Sequence, residues 1–216
     1  MDPGEASFVD QGMDFDLDQS QGAWAVSHAR SVVESAVQET PKPGVPADLD
    51  TVFDVERGAF VTLRKGGELR GCIGRPRPKQ PAIEALRVAA IGAATDDPRF
   101  PPVTPGELNE ITVEVSILTP PRELENPDPE GVTVGKDGLI VERNGRSGLL
   151  LPQVPVEQDW DANTFLEQTC RKAGLDGEYW EDPETDVRRF SAQVFTETAP
   201  NGSIEQVDQV NVRGSP

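Results

Sequence analysis

Histidine occurs once in the 216 residues, at His28, and cysteine twice, at Cys72 and Cys170. Two thiols and one imidazole supply neither a disulfide framework nor a four-cysteine or histidine-rich zinc centre. No metal site is expected from them, and a carboxylate-only magnesium site stays open. Lysine is scarce as well, at positions 42, 65, 79, 136 and 172 only. No apolar run approaches the roughly 20 residues that span a bilayer, and Met-Asp-Pro-Gly-Glu lacks the basic start and apolar middle of a secretory signal. Also missing are a Walker loop, a dinucleotide fingerprint, a G-x-S-x-G elbow and an H-E-x-x-H helix, so no cofactor is evident. A cytoplasmic protein without membrane attachment is the expectation.

Acid is abundant: 38 Asp and Glu against 20 Lys and Arg give a formal charge of −18. Carboxylates in excess with little lysine point to a salt-rich cytoplasm, because high ionic strength screens their repulsion; a halophilic archaeal source is the reading. The same charge opposes nucleic acid at long range. Against this background, Arg64 to Lys79 holds six cations (Arg64, Lys65, Arg70, Arg75, Arg77 and Lys79) and one anion, Glu68. Inside that island lies Leu69-Arg70-Gly71-Cys72-Ile73-Gly74. Cations beside a thiol favour the thiolate, and clustered arginines suit carboxylate or phosphate.

Hydrophobic spacing organises the rest. Residues 1–20 read as a disordered acidic extension and 200–216 as a flexible tail, leaving 21–199 as the folded part. Ala25, Ala29, Val32, Val33 and Ala36 predict a helix over about 21–38, and Pro41, Pro43 and Pro46 a linker. Ala59–Arg64 and Glu68–Gly74 form a hairpin around Gly66-Gly67. Pairing from that turn sets Leu63 opposite Arg70 and Val61 opposite Cys72. The period of two then puts Arg70 and Cys72 on one face. A helix runs from Pro81 to about Ala94, followed by the proline-rich loop 96–103. Thr104 and Glu107 form a capping box. Ile111, Val113, Val115 and Ile117 alternate with Thr112, Glu114 and Ser116 on one strand. A second hairpin spans 138–151 around Asn144-Gly145. Asp161 caps a helix carrying Phe165, Leu166 and Cys170, and 187–197 is a final strand. Hairpins mixed with separate helices predict an α+β class, with a mixed, largely antiparallel sheet flanked by helices.

Five ordered segments carry a resemblance. They are 69–74, Asp-Pro-Arg-Phe-Pro-Pro-Val at 97–103, Glu-Val-Ser-Ile-Leu at 114–118, Gly-Leu-Leu-Leu-Pro-Gln-Val at 148–154 and Phe-Leu-Glu-Gln-Thr-Cys-Arg-Lys-Ala-Gly-Leu at 165–175. Together they resemble the AMMECR-type domain over roughly 22–198. The resemblance implies two intimately packed subdomains and a functional site at the six-residue motif, without an established reaction. It also implies association with Memo-like proteins and radical S-adenosylmethionine enzymes. This chain lacks the three-cysteine cluster pattern of the latter.

Two functions follow as expectations. In the first, an enzyme or enzyme subunit binds a small anionic ligand: Arg70 fixes the anion, Gly71 and Gly74 allow close approach, and Cys72 is the catalytic thiol. Asp97, Arg99, Glu114, Ser116 and Gln153 line the cleft, with Arg70 and Cys72 in a concave pocket and Arg75, Arg77 and Lys79 at its rim. In the alternative, the motif is a non-catalytic adaptor that docks a Memo-like or radical-enzyme partner. Cys170 and His28 read as packing residues.

Overall fold

The computed structural model describes residues 17–46, 51–76, 80–124 and 127–207. Asp18 accepts hydrogen bonds from the backbone N–H groups of Ser20 and Gln21, and the Gln21 side chain accepts from the Asp18 N–H at 2.8 Å. This capping box starts helix α1 at Gln19–Val37, two residues ahead of the expected start. Leu17 is buried, and its backbone is tied to the Gln193 side chain at 2.7 and 3.1 Å. Residues 17–20 therefore belong to the folded body, while 1–16 of the expected extension lie outside the described residues.

The first hairpin comprises β1 (Ala59–Lys65) and β2 (Glu68–Arg75). Gly66 and Gly67 take φ of +59° and +86°, the left-handed pair that a two-residue hairpin turn requires. Helix α2 (Ala82–Thr95) and strand β3 (Ile111–Leu118) follow. Next come β4 (Arg122–Glu123), β5 (Gly138–Arg143), β6 (Arg146–Leu150), and helices α3 (Gln153–Glu157) and α4 (Ala162–Lys172). The chain continues into β7 (Asp186–Phe190), β8 (Ala192–Glu197) and β9 (Ile204–Val207).

Two antiparallel sheets result, with strand orders β2-β1-β3-β8-β9 and β4-β7-β5-β6. The fold is α+β in two packed parts. The expected single strand 187–197 is in fact two strands in different sheets. At Ser191 the chain leaves the smaller sheet, and the Ser191 N–H donates to Thr119 Oγ1 at 2.9 Å while the Thr119 N–H donates to the Ser191 carbonyl at 2.8 Å. Those bonds satisfy backbone that neither sheet can pair. Strand β9 also extends order into the segment expected to be a tail; residues 208–216 lie outside the described residues.

Helices α1 and α2 cover one face of the larger sheet, where Val61, Leu63, Val113, Val115 and Phe195 meet Val26, Val32, Leu86 and Ala89. Arg30 of α1 is buried and forks onto Glu197 of β8, and also donates to the Ile111 carbonyl at 2.8 Å. This desolvated pair fixes how α1 crosses the sheet. A second core joins Leu139, Val141 and Val187 to Phe165, Leu166 and Cys170. Burial there pushes the Cys170 thiol up to about 11, so it is an inert packing group, as expected. His28 lies against Trp24 on α1, with ring centroids 4.8 Å apart, in the helix layer.

Candidate functional site

The site follows from one irregularity in the first hairpin. Lys65 faces Glu68 and Arg64 faces Leu69, but Leu63 faces Gly71. Arg70 is thus an extra residue with no partner across the ladder, a β-bulge. A one-residue slip moves side chains to the opposite face of a sheet. The expected neighbours therefore change: Cys72 sits opposite Thr62 instead of Val61, and Arg70 does not share its face.

Arg70 turns instead to the segment after α2. Its guanidinium forks onto Glu107 at 2.9 and 3.0 Å and donates to the Pro101 and Pro102 carbonyls at 2.9 and 3.3 Å. Arg70 beside Glu107, helped by the Thr104 N–H, holds that carboxyl well below the usual range. Four of the five N–H donors of Arg70 are thereby occupied within the protein.

Cys72 does open into a cavity. On β1 and β3, Thr62 faces Glu114 and Phe60 faces Ser116, continuing the rows that start at Cys72 and Gly74. These side chains form the floor of a concavity of about 220 Å³ on the sheet face opposite α1 and α2. Arg64 and Val194 extend the floor; Leu118, Leu151 and Ala192 wall it, and Gln153 and Glu157 of α3 close one side. Thr62 Oγ1 donates to Cys72 Sγ at 3.4 Å. Arg64 Nε lies 3.8 Å from Glu114 Oε2. Burial pushes the Glu114 carboxyl above its ordinary value, and the nearby Arg64 opposes that only in part.

The 97–103 segment works from behind. β2 is an edge strand, so its outer N–H and C=O groups need partners. Asp97, 5% exposed, accepts the Cys72 N–H at 2.7 Å, and Arg99 donates to the Cys72 carbonyl at 3.1 Å. Asp97 also takes three bonds from Arg99, which chiefly hold its carboxyl far below the usual range. The pair thus clamps the backbone of Cys72 without lining the cavity.

The glycines have packing tasks. A Cβ at Gly71 would lie 2.2 Å from the Ala93 carbonyl oxygen of α2, and one at Gly74 would lie 2.1 Å from the Phe60 ring. Gly71 therefore faces the helix layer, away from the cavity. Of the expected site residues, Cys72, Glu114, Ser116 and Gln153 meet in one cavity, while Arg70, Gly71, Gly74, Asp97 and Arg99 support the strand that carries the thiol. Arg75 is exposed; Arg77 and Lys79 lie outside the described residues. Thr62 and Arg64 were missed. The strand period would have found both, given the correct register, since Thr62 and Arg64 alternate with Val61 and Leu63.

A family model described as AMMECR1 matches residues 26–195. The chain belongs to the AMMECR1 family. A protein of Methanothermobacter thermautotrophicus is 53% identical over 185 residues, covering 84% of this chain and 96% of that one. A Thermococcus kodakarensis protein is 50% identical, covering 86% and 94%. The crystal structure of an uncharacterized protein from Pyrococcus horikoshii superposes with a TM-score of 0.77 at 44% identity, over 89% of this chain and 98% of that one. This AMMECR1 protein thus shares its fold with an archaeal relative along nearly the whole of that relative's length. Among the described residues no helix is long and apolar enough to cross a membrane, and no cluster of three or more His, Cys, Asp or Glu could hold a metal ion.

Proposed function

We propose that this AMMECR1-family protein is an enzyme or enzyme subunit that binds a small molecule with an anionic group on the open face of its larger sheet, and that Cys72 reacts with it. In this reading Arg64, not Arg70, meets the anion. The observation that carries it is the cavity itself: a thiol, a guanidinium and a desolvated carboxyl share one concave floor beside apolar walls. In an acyl transfer the Cys72 sulfur bonds to the acyl carbon and the thiol proton passes to water. The displaced group departs with a proton taken from that water, and a second water or a bound nucleophile then cleaves the S–acyl bond and returns a proton to the sulfur. Thr62 Oγ1, donating to the sulfur, orients it toward the cavity.

Paired alkylating agents test this. Iodoacetate and iodoacetamide differ in charge and little in size, and Cys170 is buried and serves as a silent internal thiol. Cys72 should favour iodoacetate over iodoacetamide relative to a free thiol peptide. R64Q should lower that preference about fivefold, roughly the 1 kcal/mol of one charge-assisted contact. Equal ratios in wild type and R64Q would defeat the reading.

A further inference from the structure

We infer that the cavity beside Cys72 takes a free α-amino acid with an apolar side chain. This rests on the preceding reading and names the molecule to which Cys72 passes its acyl group. The amino acid's carboxylate has no leaving group for the sulfur to displace. Its amino group, one proton passed to Glu114, can take the acyl group from the sulfur and give a second proton back to it.

The ionic inventory of the lining is the starting point. It contains one guanidinium, Arg64, and two carboxyl groups, Glu114 on the floor and the exposed Glu157 at the mouth. A simple carboxylate ligand would satisfy Arg64 and add a third acid to two already present. A simple ammonium would satisfy the acids and leave Arg64 unmatched. A zwitterion meets both demands.

The spacing agrees. Arg64 Nε and Glu114 Oε2 are 3.8 Å apart, a loose ion pair, and no hydrogen bond joins either side chain to a described residue. The Arg64 side chain is 42% exposed and the Glu114 side chain 23% exposed, so both stay open to a ligand. A guanidinium has five N–H donors and a carboxylate about four acceptor sites, so this pair faces the cavity with most of its capacity unused. An α-amino acid carries its ammonium and carboxylate on a single carbon. Its carboxylate can fork onto Arg64 while its ammonium reaches Glu114, and the two charges need not separate further to do so. The ammonium would also restore the charged form that burial disfavours at Glu114.

The remaining lining suits the side chain. Phe60, Leu118, Leu151, Val194 and Val207 offer apolar surface next to this ionic pair. The volume, about 220 Å³, falls below the roughly 300–1,000 Å³ of sites for drug-sized ligands and suits a molecule of amino-acid size. Cys72 lies across Thr62 from Glu114, so two strand spacings, about 10 Å, separate the thiol row from the acid row. Arg64 belongs to the strand between them, so a ligand bridging Arg64 and Glu114 lies over β1, one strand from the sulfur, where its side chain would hinder access to Cys72.

Protection of Cys72 tests the class. The full chain is labelled with iodoacetamide, followed by intact mass, in the presence of L-leucine, 4-methylpentanoate or 3-methylbutylamine at equal concentrations. The last two carry the same branched chain with only one of the two charges. Saturable, severalfold slowing by L-leucine, with much weaker slowing by either half-molecule, is the expected result, and R64Q and E114Q should each remove it. Protection by the carboxylate or the amine equal to that by leucine would overturn the inference, as would no protection by any of the three. Loss of protection with the Arg64-dependent iodoacetate preference intact overturns the amino-acid class alone. Absence of that preference overturns the functional reading beneath it.

Discussion

Truncating Asp97 should unclamp the strand that carries the thiol. Its carboxylate, with a side chain 3% exposed, accepts the Cys72 N–H at 2.7 Å, the Arg99 N–H at 3.1 Å, and the Arg99 guanidinium at 2.9 and 2.7 Å. Asp97→Ala leaves the edge N–H of Cys72 without its acceptor, a loss of about 1–3 kcal/mol, and removes a charged acceptor whose bonds are worth about 1.5–3 kcal/mol each. Arg99 is half exposed and regains water, so its side of the loss is discounted. A total of about 3 kcal/mol follows. Asp97→Asn keeps an oxygen for Cys72 and gives up the charge, so about 1–2 kcal/mol is expected. Urea unfolding at constant m measures both. The pH dependence has a definite sign. The folded-state pKa of Asp97 is depressed, first by Arg99 and then by the Cys72 N–H. Its contribution is complete above the unfolded value of about 4 and disappears as pH falls below it, so Asp97→Asn should flatten that acid limb. A loss under about 1 kcal/mol for Asp97→Ala, or an unchanged acid limb for Asp97→Asn, would refute the clamp.

Gly71→Ala places a methyl group 2.2 Å from the Ala93 carbonyl and should cost about 1–3 kcal/mol or more in urea unfolding, because backbone must move; a near-neutral variant would contradict the close strand–helix contact. With a formal charge of −18, stability should rise as KCl is raised toward molar concentrations. Calorimetry showing a melting temperature indifferent to salt would contradict the halophilic reading.

Local chemistry made much of this fold legible. Gly66-Gly67 between two alternating runs specified the first hairpin, and Asp161 announced α4 as its N-cap. The alternation of Ile111–Ile117 put Glu114 and Ser116 on one face, and both line the cavity. What escaped depends on distant contacts. The bulge at Arg70 has no local signal, because the extra residue is held by Glu107 and the Pro101 and Pro102 carbonyls, 31 to 37 positions away. That single residue exchanged Arg70 for Arg64 as the guanidinium that shares a cavity with the thiol. The division of 187–197 at Ser191 was hidden similarly, since Thr119, 72 positions away, supplies the bonds that let the chain change sheets. Gly71 and Gly74 were visible as close-approach positions, but the approaching groups, α2 and Phe60, could be known only once the layers were stacked.

The crystal structure of the iodoacetate-treated protein would test the central claim most directly. Carboxymethylation puts a carboxylate on the Cys72 sulfur itself. The account predicts that this carboxylate lies inside the cavity within hydrogen-bonding distance of the Arg64 guanidinium, about 2.7–3.2 Å. It also predicts that Arg70 remains on Glu107. An adduct directed into bulk solvent, or one met by Arg70 instead of Arg64, would contradict it.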